Sequence, residues 1–222
     1  MKTPAERKAE NDKKIASLDI TVNTHLPTVE GEDEVTLKSL DDICGRAVAA
    51  LLVIQLALDC SRGGYDESIE IISGALERYG VKGYLNAAEK QVFDNNYPEQ
   101  ALPAVVWEYE CYWSLVWALG LIGDDELEAV AEICNCEKAI NLVVSCEDMA
   151  AFREKCTLRS KSEILDKLDF FYRLHWACVE NRVNSGGASI GYMNEEVVME
   201  RRRGLEWLVS EEADWFDISL DT

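Results

Sequence analysis

Asp169-Phe170-Phe171-Tyr172-Arg173-Leu174-His175-Trp176-Ala177 lies at the centre of residues 160–185, the stretch that decides the fold class. Wound as an α-helix, it places Ile164, Leu168, Phe171, His175 and Cys178 on one face and Asp169, Arg173, Trp176 and Glu180 on a second. A helix that is apolar on one side, and carries an acid, a base and an indole on another, is expected to be covered on both. That makes it the expected hub of an all-helical domain. Ser160 followed by Glu163 has the form of a capping box at its start, and Ser185-Gly186-Gly187 mark its end.

Outward from this hub the same helical period recurs. Asn194 is placed to cap a last long helix carrying Val197, Val198, Leu205, Leu208 and Val209, and Trp215-Phe216 in the tail are expected to pack back on the core. In the first half, Thr36 is expected to cap a helix with the buried stripe Leu40, Ile43, Cys44, Ala47, Val48, Leu51, Ile54 and Leu58. Asp66 opens the next, which Gly80 ends, and Asn86 with Glu89 forms another capping box. Pro103 belongs in the first turn of the helix that follows. Two or three short helices are expected across residues 126–156.

The pattern predicts an all-α, single-domain bundle of about seven to nine helices without a substantial sheet. Residues 1–35 read as a polar surface helix and an exposed acidic connector, and residues 36–222 as the helical domain with its packed tail.

Asp and Glu number 42 against 22 Lys and Arg, a formal charge of −20, while 48% of residues are hydrophobic. The hydrophobic share excludes a disordered acidic tail. The charge argues against direct nucleic-acid or membrane binding, which needs clustered cations, and favours a basic protein partner. The first residues hold no apolar signal stretch, so the protein is expected in the cytoplasm with its eight cysteines reduced. The longest apolar run, residues 47–58, falls short of a membrane span and reads as a buried helix.

Several blocks together resemble the bacterial family catalogued as domain of unknown function 4272. They are Trp107-x-Tyr109-Glu110-x-x-Trp113-x-Leu115-x-Trp117-Ala118-Leu119-Gly120, Asp169 to Arg173, His175-Trp176-Ala177, Glu200-Arg201, Leu205-x-Trp207-Leu208, and Trp215 with Asp221-Thr222. Arg7-Lys8 and Arg46 extend the likeness toward the N-terminus. The resemblance implies a helical domain and transfers no activity. One position departs from the family pattern: Glu108 stands where the family tends to place an arginine, so no basic role carries over there.

The chemical signal is a set of ionisable groups inside apolar stripes, because an unpaired buried charge costs several kcal/mol. Arg46, Glu110, His175 and Arg201 each come from a different expected helix. They are expected to converge, with Glu110 paired to Arg46 or Arg201, and Asp169 holding Arg173 four residues on. Two readings compete. One is a structural ion-pair network fixing helix register. The other is an acid/base site in which Glu110, raised in pKa by indole walls, works with His175 and Arg201 in a pocket lined by Trp107, Trp117 and Trp176. These correspond to two expected functions: an acidic protein-binding or neutralising module, and alternatively a hydrolase.

No cofactor motif is present. Cys134, Cys136, Cys146 and Cys156 lack the paired spacing of a structural zinc site, and no metal is assigned to them. Cys44, Cys60, Cys111 and Cys178 fall where alanine would fit.

Overall fold

Helix α5 (Ala101–Ala118) is buried without interruption from Glu108 to Ala118. A helix that is apolar all round must be covered on every side. In the computed structural model, which describes residues 2–185 and 187–222, α2 (Leu40–Cys60) packs along one side of α5 and α10 (Glu195–Val209) along another. Helix α9 (Lys161–Val183) packs on α10, and α1 (Pro4–Ala16) on α9. Helices α3 (Tyr65–Tyr79) and α4 (Ala87–Phe93) lie on α2. Three short helices, α6 (Asp124–Leu127), α7 (Cys136–Val144) and α8 (Met149–Glu154), fill the crossing from α5 to α9. The fold is all-helical, with no strand among the described residues.

The hub is therefore α5 and not α9. The reason is that α9 keeps a polar stripe, which one helix suffices to cover, whereas α5 has none. The stripe is met by α1: Asn11 Nδ2 donates to Asp169 Oδ2 over 2.8 Å, and Asp12 lies 3.4 Å from the Arg173 guanidinium. Helix α1 lies on the surface, as its polar sequence predicts, and is anchored there by the buried Ile15 and Arg7 side chains. Arg7 Nε donates to Asp166, and its Nη1 to the Glu30 carbonyl. The segment read as an exposed connector buries Ile20, Leu26 and Val29.

The capping boxes form as the sequence predicts, Ser160 with Glu163 on α9 and Asn86 with Glu89 on α4, and Gly80 ends α3 at φ 67°. The cap of α2 is Ser39, three residues beyond the expected Thr36. Lys38 explains the shift: its backbone N–H is committed to the Leu208 carbonyl on α10, so the chain there is held extended. In the tail Trp215 is fully buried, but Phe216 is 37% exposed, under the Arg203 guanidinium. Helix α2 has the length and hydropathy of a membrane span, which the shorter run counted from sequence does not, yet 83% of its apolar window is buried in the bundle.

Candidate functional site

Arg46, Glu110, His175 and Arg201 are all buried, but they do not converge. Glu108 and Glu110 are two residues apart, roughly 200° around the helix, so one carboxylate points from α5 toward α2 and α4 and the other toward α10. Two separate ion clusters result.

In the first cluster, Arg46 donates through Nη1 and Nη2 to both oxygens of Glu89 at 2.8 Å, and Nη2 reaches Glu108 Oε2 at 3.1 Å. Asn86 Nδ2 donates to the other Glu108 oxygen, and the Trp215 ring lies 3.8 Å from the guanidinium carbon. One arginine thus serves two buried carboxylates. Burial, reinforced by the adjacent Glu89 charge, raises Glu108 well above the usual carboxylate range against the pull of Arg46.

In the second cluster, Glu110 Oε2 accepts from Arg201 Nε at 2.8 Å and Oε1 accepts from the Cys134 backbone N–H at 2.7 Å. Arg201 Nη1 donates to the carbonyls of Leu127 and Ala129. Of the two partners expected for Glu110, Arg201 is the one it meets.

His175 belongs to a third place. Its Nδ1 faces Arg202 Nη1 at 2.9 Å, so it accepts and the other ring nitrogen carries the proton. Burial, then the Arg202 charge, lowers the imidazole to about 4, which makes it neutral at physiological pH. Asp169 holds Arg173 through two bonds, as the i,i+4 spacing predicts.

The three tryptophans expected around one pocket are dispersed. Trp117 lines a polar cleft of about 210 Å³, flanked by Arg159 and Lys167. Trp107 lines a groove of about 550 Å³ between α2, α5 and α7, while Trp176 is half-buried and lines neither. Another cleft, about 620 Å³, has Arg46 and Asn86 in its wall, but Glu89 and Glu108 are fully buried behind them. Among the described residues, Glu110 and His175 share none of these clefts.

The groove is the apolar one. Leu58, Val106, Trp107, Ile133 and Ile140 form its walls, and Glu110, held by Arg201, borders its inner end. Ile133 is 58% exposed on its rim, between the exposed Glu132 and the buried Cys134. Of the side chains singled out from sequence for chemistry, Trp107, Glu110 and Cys136 share this surface.

The family model described as Domain of unknown function (DUF4272) matches residues 7–218. The chain belongs to this family. No curated protein and no solved structure matches it. The match spans the ten α-helices of the described residues of this DUF4272 chain apart from the first turn of α1, and so includes both ion clusters and the groove.

The four cysteines weighed together in the DUF4272 sequence are also dispersed. Each thiol donates to a backbone carbonyl: Cys156 to Phe152, Cys134 to Tyr109, Cys136 to Cys134 and Cys146 to Leu142. Among the described residues no group of three or more His, Cys, Asp or Glu side chains is placed to hold a metal. Sequence reasoning took Glu89 only as a cap and Glu108 only as a departure. The spacing Val105, Glu108, Tyr112 on α5 is the signal that would have marked Glu108 as buried.

Proposed function

We propose that this chain is an acidic protein-binding module working in the cytoplasm, and that its groove between α2, α5 and α7 seats the apolar row of a basic amphipathic segment from another protein. The observation that carries this reading is an open apolar groove on a chain whose exposed charge is predominantly acidic. Six of the 22 basic residues and five of the 42 acidic ones are buried, so 16 basic and 37 acidic side chains remain at least partly exposed. A surface of that sign speeds encounter with cations and rejects anions, while the apolar groove supplies the contact. Helix-in-groove recognition uses this combination.

The test is titration of a model amphipathic peptide of leucine and lysine, followed by Ile133→Asp. Non-specific attraction would strengthen when another acid is added. Seating in the groove requires the opposite, a loss of about tenfold or more in affinity, because burying an Ile side chain contributes roughly 1.5–3 kcal/mol. Unchanged or tighter binding by the variant overturns the proposal.

A further inference from the structure

The groove holds one chemically reactive feature. Cys134-Asn135-Cys136 carries two thiols onto the same spot: Cys134 ends the loop crossing the groove, and Cys136 is the first residue of α7, half-buried in the groove lining. Asn135 caps α7 by accepting from the Lys138 N–H, which fixes the turn between the two cysteines. The backbone N–H of Cys134 is pinned by Glu110, whose own carboxylate is held by Arg201. The Cys136 thiol donates to the Cys134 carbonyl oxygen at 3.5 Å, and the Cys134 thiol to the Tyr109 carbonyl at 3.9 Å. All eight cysteines are free.

We propose that Cys134 and Cys136 form a hydroperoxide-reactive dithiol opening into the groove, with Cys136 the attacking sulfur and Cys134 the resolving one. The Cys136 thiolate attacks one peroxide oxygen, an S–O bond forms, and the O–O bond breaks. The departing oxygen takes a proton from solvent and leaves as water or an alcohol. The sulfur is oxidised by two electrons to a sulfenic acid. Cys134 then attacks that sulfur, the S–S bond forms, the S–O bond breaks, and the hydroxyl leaves with the Cys134 proton as a second water. In total, two thiols and one hydroperoxide give one disulfide, one water, and one water or alcohol.

Geometry assigns the two roles. Cys134 is buried and reaches no cavity lining, whereas Cys136 opens into the groove where a small oxidant arrives. The neighbouring Cys134 thiol lowers the Cys136 thiol to about 7 against its burial and the Glu110 charge, which favours the thiolate there. The second thiol pair serves as an internal comparison: Cys156 faces Cys44, which is fully buried in α2. This chemistry goes beyond peptide seating and is read out separately from it.

The experiment is limited oxidation of the reduced full chain with hydrogen peroxide at neutral pH, followed by alkylation and peptide mass spectrometry. The expected first product is an intramolecular Cys134–Cys136 disulfide. Cys136 should be lost about fivefold or more faster than the half-buried Cys60, because the gain in thiolate exceeds the loss in nucleophilicity. In Cys134→Ser the reaction should stop at a sulfenic acid on residue 136 that dimedone traps. Prior formation of a Cys44–Cys156 disulfide, or equal loss of Cys60 and Cys136, overturns the proposal. The wild-type measurement decides the matter even where the variant fails to fold.

Discussion

A neutral histidine buried against an arginine is a pH-dependent element of stability. His175 has an ordinary value of 6.5 and sits at about 4 in the fold. Because the folded value is the depressed one, its contribution is complete above about pH 6.5 and is lost as pH falls through that value toward 4. The shift corresponds to roughly 3 kcal/mol at full expression. His175→Asn retains an acceptor for Arg202 but does not titrate, so its unfolding free energy should vary less than wild type's between pH 6.5 and 4. Denaturant titrations at those two values check it, and an identical slope would show that the ring is neutral for no energetic reason. The burial of His175 is legible from sequence through its place among Leu168, Phe171 and Cys178. Its partner is not, because Arg202 adjoins Arg201, the residue that the Val197, Val198, Leu205 stripe marks as inward. Both arginines are buried, on different sides of α10.

At the scale of elements, two helical glycines give opposite predictions. A Cβ on Gly204 of α10 would lie 2.6 Å from the Cys111 carbonyl oxygen and 2.9 Å from Ser114 Cβ, both on α5. The two helices touch backbone to side chain there, tied by the Ser114 hydroxyl donating to the Arg201 carbonyl at 2.8 Å. Gly204→Ala must push the central pair apart and should destabilise by about 2 kcal/mol, the overpacking loss exceeding the helix-propensity gain. Gly74, exposed in α3, meets nothing within 4 Å. Gly74→Ala should stabilise by about 1 kcal/mol. Thermal melts of the two variants check the signs, and a neutral Gly204→Ala would mean that α5 and α10 have slack between them. Helix periods, the Ser160, Asn86 and Asn194 caps and the Gly80 stop are legible because they are local. The choice of α5 as axis is not, since it depends on which apolar face finds the most partners, and the close contact at Gly204 exists only between helices.

For the molecule as a whole, ionic strength should act in opposite directions on folding and on binding. Folding places arginines such as Arg7, Arg46, Arg173, Arg201 and Arg202 inside, where bulk salt screens them little. The exposed charge is then overwhelmingly negative, and that excess repels itself at low salt. Exposed pairs such as Lys14 with Glu128 and Arg153 with Asp41 involve partly solvated side chains and contribute little. As the screening length contracts from roughly 30 Å at 0.01 M to about 8 Å at 0.15 M, self-repulsion fades and the melting temperature should rise by several degrees. Over the same range the affinity for the basic peptide should fall, since attraction between the two surfaces is screened equally. A melting temperature that drops with salt would mean that the surface ion pairs outweigh the repulsion. An affinity that rises with salt would remove charge from the encounter and leave the groove to act through its apolar walls alone.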